Sequence, residues 1–131
     1  MAKEKVIFDS CFWIAYFNQN DTTHKKATNL LSKHSSSTII ISEYVLLEIS
    51  TVLKLQLGHT KAQATISALV QTETIEVLPS ADYFFKTLKL FLTSADSHLS
   101  FVDMSLLVLA KDFVIETFDK KLIQAIQNRK K

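Results

Sequence analysis

The stretch VIFDSCFWIAYF, residues 6–17, is apolar at nearly every position except Asp9 and Ser10. Its first half, with the preceding lysine, is short and rich in β-branched and aromatic side chains, so KVIFD predicts a buried strand. CFWIAYFN follows at helical length and is apolar on every side, which predicts a helix enclosed by other elements. A carboxylate therefore stands where a buried strand hands over to a buried helix. An unpaired charge removed from water costs several kcal/mol, so Asp9 needs a cation, a proton or a route back to solvent.

Outward from this stretch the chain alternates between the two periodicities. NDTTHKKATNLLSKH predicts a helix with Asp21 and Thr22 as capping candidates and Ala27, Leu30 and Leu31 on one face. STIIIS predicts a second buried strand, EYVLLEISTVLKLQL a long helix stopping near Gly58, and THKAQATISALVQ another helix. TIEVLP predicts a third strand, SADYFFKTLKLFLTS a helix capped by Ser80, and SFVDMSLLVLAKD a further helix. FVIETF predicts a fourth strand and DKKLIQAIQNRKK a closing helix. Strands separated by helices, without hairpin signals, imply an α/β fold: a central parallel sheet of about four strands with helices on both faces, as a single domain over residues 1–131. Gly58 is the only glycine. Neither a Walker-type nor a dinucleotide-binding loop can be written with one glycine.

Composition narrows the class further. The 131 residues are 47% hydrophobic and 21% charged with a formal net charge of +2, which suits a folded domain and does not by itself announce nucleic acid. Lys120, Lys121, Arg129, Lys130 and Lys131 concentrate basic charge near the C-terminus. Cys11 is the only cysteine, so no intrachain disulfide forms, and it is expected to pack as a small hydrophobe. His24, His34, His59 and His98 do not fall at metal-ligand spacings; His98, five residues before Asp103, is a candidate substrate contact. No apolar run reaches the ~18 residues of a membrane span. Asp9 interrupts the N-terminal apolar run, so no secretory leader is expected and the default location is the cytoplasm.

Most of the thirteen acids lie in polar stretches or at helix ends. Four do not. Asp9 ends the first strand, and Asp119 follows the fourth directly. Glu48 occupies a helical stripe with Tyr44, Val45 and Val52, and Asp103 shares a face with Leu99, Leu106, Leu107 and Ala110. Asp9, Asp103 and Asp119 each have a plainer reading as a cap or first-turn acid, whereas Glu48 caps nothing. Ligands of open α/β sheets bind beyond the carboxyl ends of the strands, so one crevice can receive all four. At ~5 Å and an effective dielectric of about 20, each pair of such charges costs on the order of 3 kcal/mol. A hard divalent cation relieves that repulsion, and an all-oxygen donor set favours Mg²⁺ or Mn²⁺ over zinc.

In these residues the chain resembles a PIN domain, and within that group the VapC-type toxin ribonucleases of toxin–antitoxin pairs. VIFDS resembles the opening strand with its acid at Asp9 and hydroxyl at Ser10, and ISEYVLLEISTVL carries the family glutamate at Glu48. HLSFVDMSLLVLAK carries the third acid at Asp103, and ETFDKKL the last at Asp119 with Thr117 before it. The resemblance implies a three-layer PIN-like sandwich and an endoribonuclease whose Asp9, Glu48, Asp103 and Asp119 hold Mg²⁺ or Mn²⁺. It implies hydrolysis of RNA by metal-activated water, with Ser10 and Thr117 as supporting hydrogen bonders. It also implies a cognate antitoxin partner and a homodimer, with no membrane partner. The chain departs from the common pattern in lacking a final edge strand after its last helix.

Three other readings stand beside this one. An aspartate-based phosphotransferase needs a second Asp two residues after the first, where this chain has Cys11. A PIN nuclease of RNA processing or DNA repair would use the same acids, and a non-catalytic interaction module would not need them. Lys120 and Lys121 are candidate phosphate contacts or a solvated helix face. Phe12, Trp13, Tyr16 and Phe17 are expected in the core, with a dimer or antitoxin surface as the alternative.

Overall fold

The computed structural model describes residues 3–96 and 98–129. The elements run β1 (Lys5–Phe8), α1 (Ser10–Phe17), α2 (His24–Lys33), β2 (Thr38–Ser42), α3 (Glu43–Leu57), α4 (His59–Gln71) and β3 (Ile75–Leu78). A 3₁₀ turn (Ser80–Asp82) follows, then α5 (Phe84–Thr93), α6 (Phe101–Leu109), β4 (Val114–Glu116) and α7 (Lys120–Arg129). All strand pairs are parallel, in the order β3-β2-β1-β4. Among the described residues β4 pairs only with β1 and is an edge of the sheet.

β1 is central and its Val6, Ile7 and Phe8 are fully buried, which is why its side chains are apolar on both faces. Val6 pairs with Ile39 on one side and Val114 on the other. Phe8 stacks on Phe12 at 4.1 Å and meets Trp13 edge-on at 5.7 Å. Phe12 and Trp13 are therefore core, as expected, and each such side chain contributes roughly 1.5–3 kcal/mol of burial. Tyr16 and Phe17 are half-buried.

The strand order locates a crevice. The connections β1 to β2 and β2 to β3 step one way across the sheet, while the connection from β3 returns past β1 to β4. With right-handed crossovers this puts α1 to α4 on one face and α5 and α6 on the other, and the chain reverses direction between β1 and β4. A crevice opens beyond the carboxyl ends of two such strands. Asp9 and Thr117 are the residues immediately past those ends.

Two caps differ from expectation. Ser80 does not cap a helix: it opens the 3₁₀ turn, its N–H donates to Glu43 Oε1 at 2.9 Å, and α5 begins only after Tyr83. Tyr83, buried with its ring edge-on to Tyr44 at 5.5 Å, interrupts the helical run with φ −128° and ψ 1°. Neither Asp21 nor Thr22 caps α2. Thr23 holds the cap position, and Asp21 Oδ1 instead accepts from the Thr23 N–H and hydroxyl, bonds that hold its carboxyl below the usual range.

Candidate active site

Asp9 is 4% exposed and both its oxygens are engaged. Oδ1 accepts from the Ser10 N–H at 2.6 Å, the N-cap bond of α1, and from Ser10 Oγ at 3.3 Å. Oδ2 accepts from Thr117 Oγ1 at 2.9 Å, with Cys11 Sγ at 3.6 Å. The Asp9 N–H donates to Glu116 O at 2.9 Å, which locks the carboxylate's backbone to β4. Asp9 is thus both a helix cap and a buried charge; one role does not displace the other.

The other expected residues are tied to it in a chain of contacts. The single Ser10 hydroxyl proton is shared between Asp9 Oδ1 and Glu48 Oε1, and the contact to Glu48 ties α3 to the start of α1. Thr117 Oγ1 accepts from the Asp119 N–H at 3.0 Å, and Asp119 Oδ1 accepts from the Lys121 N–H at 2.9 Å at the start of α7. Asp103 stands apart from this chain of bonds. It closes a capping box, its Oδ2 accepting from the Ser100 N–H at 2.9 Å while its own N–H donates to Ser100 Oγ at 3.0 Å. It is nevertheless within electrostatic reach: burial pushes its carboxyl above the usual range, and the charges of Asp9 and Asp119 push it further.

The expected gathering of acids is therefore met in part. Asp9, Ser10, Glu48, Thr117 and Asp119 form one bonded cluster, whereas Asp103 is bonded to its own helix and is linked to the cluster only through the charges of Asp9 and Asp119. Among the described residues no group of three carboxylate, histidine or cysteine side chains is arranged to hold a metal ion as it stands. Each of these carboxylates instead takes nearby N–H or O–H donors. The donor chemistry still fits a hard divalent cation: the carboxylates are oxygen ligands, and Asp9 and Asp119 already raise the proton affinity of Asp103.

Cys11 does more than fill space. Its Sγ lies 3.6 Å from Asp9 Oδ2 and 3.5 Å from Thr117 Oγ1, inside the cluster. Burial raises its pKa first and the Asp9 charge next, so it is a protonated thiol and a poor nucleophile. Its position two residues after a capping Asp was the signal in the sequence for this contact. His98 is exposed in the α5–α6 loop, its N–H bonded to Asp96 Oδ1 at 2.8 Å. A cleft of about 750 Å³ lies where β2 and β3 begin, lined by Trp13, Tyr16, Phe17 and His34. It is at the far end of the sheet from the acids, so size alone does not mark the chemistry.

A family model for the PIN domain matches residues 6–126, which include every residue of this cluster. The chain belongs to the PIN domain family. Among solved structures this PIN domain is similar to VapC20 of Mycobacterium tuberculosis, a sarcin-ricin loop cleaving toxin. The two are 24% identical, the match covers 92% of this chain and 94% of that one, and the TM-score is 0.81. No curated protein matches by sequence. The likeness to VapC20 establishes the fold, including the four-stranded parallel sheet, for this PIN domain.

Proposed function

We propose that this PIN domain is a Mg²⁺- or Mn²⁺-dependent endoribonuclease acting in the cytoplasm as the toxin of a VapBC-type pair, with an antitoxin as partner. The observation that carries this reading is Asp9: a buried carboxylate at the sheet's crevice, linked through Ser10 to Glu48 of α3 and through Thr117, just past β4, to Asp119. Family membership and the VapC20-like fold support nuclease chemistry over an interaction module. A PIN nuclease of RNA processing or DNA repair would use the same residues, and growth arrest on expression separates the two.

The residues that would hold the ion are Asp9, Asp103 and Glu48, with Asp119 serving a second ion or orienting the attacking water. When bound, the ion lowers the pKa of coordinated water and offsets charge developing at the phosphoryl group. Thr117 fixes the Asp9 carboxylate by donating to Oδ2, and Ser10 links Asp9 to Glu48. Asp103 must leave its capping bond or share it, which its spare lone pairs permit. In-line attack by water would leave a 5′-phosphate and release the 3′ oxygen. Purified protein should cleave RNA with Mg²⁺ or Mn²⁺ and lose that activity in EDTA; chelator-insensitive cleavage would overturn the reading. The sarcin-ricin loop is a first RNA to include.

The homodimer belongs to the same proposal. α5 exposes Phe85 at 76% and Leu92 at 71%, beside Phe84 and Phe91, whose rings lie 6.3 and 5.5 Å from Phe101. A monomer rarely leaves such a stripe in water, and this stripe, rather than the α1 aromatics, supplies the surface. Replacing Phe85 and Leu92 by Glu should convert a dimer to a monomer in analytical ultracentrifugation. A wild-type protein already monomeric at high micromolar concentration would refute it.

A further inference from the structure

The fold brings one cation to the site from a distant part of the sequence. Lys26, exposed on α2, holds its ammonium 5.0 Å from the centroid of the Phe118 ring. Phe118 lies between Thr117 and Asp119, its ring 6.3 Å from Phe12 in the core, so its position is set by packing. α2 is likewise fixed: His24, two residues before Lys26, bonds through Nδ1 to Ala15 O at 2.9 Å. Among the described residues Lys26 forms no ion pair with a carboxylate. A phosphate chain approaching four carboxylates meets repulsion, and beyond the ion the acids would hold, cations at the rim offset it for the flanking phosphates.

We propose that Lys26 is a substrate-binding residue, its ammonium held over Phe118, the residue between Thr117 and Asp119 in the chain, to take a phosphate flanking the scissile one in a single-stranded or looped RNA. This rests on the nuclease reading above. The aromatic face positions the charge without neutralising it, so the ammonium keeps donors for a phosphate oxygen. Lys120 and Lys121, exposed directly after Asp119, are further cations next to the cluster in the chain. They stand in the first turn of α7, where the helix macrodipole disfavours cations, a cost that an anionic partner would offset.

The test measures binding of a fluorescein-labelled single-stranded RNA by anisotropy in EDTA over a range of NaCl concentrations, and cleavage with Mg²⁺ in parallel. Lys26→Ala should weaken binding about three- to tenfold and reduce the magnitude of the log–log salt slope by ~0.7, the loss of one phosphate contact on a single strand. In cleavage KM should rise by a similar factor with kcat within about twofold. Lys26→Arg should restore both slope and KM, and Lys5→Ala, at the far end of β1, should match wild type. Phe118→Leu, which keeps the charge but removes the ring, should raise KM and leave the slope unchanged. If wild type cleaves and binds RNA while Lys26→Ala keeps the wild-type slope, or loses kcat without changing KM, the assignment of Lys26 is wrong and the nuclease reading survives. If wild type neither binds nor cleaves RNA, the nuclease reading fails and Lys26 with it.

Discussion

Asp9→Asn should abolish metal-dependent RNA cleavage, by about a thousandfold or more, while leaving the fold intact. Residues that only orient a ligand typically cost about 10- to 100-fold, so the larger loss identifies Asp9 as the anchor of the site. Asn keeps the shape and can still accept the Ser10 N–H that caps α1, where Asn and Asp serve about equally. What changes is charge. Asp9 raises the pKa of Cys11, after burial, and that of Asp103, after burial and against the Ser100 bonds. Both groups should therefore ionise more easily in the variant, and Cys11 should label faster with a thiol reagent near pH 8. Circular dichroism and gel filtration check that the fold is kept. Wild-type cleavage by the purified variant would remove Asp9 from the chemistry and leave it as a helix cap.

The sequence was most legible where one period dominated and least where two constraints met. β1 and α1 follow from VIFDSCFWIAYF alone, and the parallel order follows from strands spaced by helices. Glu48 stood out because nothing local explains an acid on an apolar helical stripe; its bond to Ser10 supplies the explanation. Asp103 is placed by its apolar helical face toward the crevice, yet S-F-V-D is also a capping box, and the two roles compete for one carboxylate. α5 is legible as a helix but not in its orientation. Its periodicity is strong, but it buries Thr87, whose hydroxyl donates to Tyr83 O at 2.7 Å, and leaves Phe85 and Leu92 outside. Periodicity marks that a helix has two faces, not which face the core takes. Lys26 had no local signal, since its partner Phe118 is supplied by the fold.

Asp103→Asn should inactivate the protein and, in the metal-free state, stabilise it near neutral pH. Burial raises the folded-state pKa of this carboxyl, and the charges of Asp9 and Asp119 add to the effect against the bonds from Ser100. The folded chain thus binds this proton more tightly than the unfolded chain, whose Asp titrates near ~4. The stability it contributes is fully present below that value and is lost as pH rises through the raised one. At pH 7 the ionised group is a penalty that Asn removes, and Asn can still accept the Ser100 N–H that completes the cap. In EDTA the melting temperature of the variant should exceed that of wild type by a few degrees at pH 7, the gap closing toward pH 4. Adding Mg²⁺ should raise the wild-type melting temperature by mass action and raise the variant's less, because a ligand has been removed. A variant less stable than wild type at pH 7 would mean that the charge at the first turn of α6 serves its own helix. The mutual repulsion argued for Asp9, Asp103 and Asp119, and the cation that would relieve it, would then lose their physical basis.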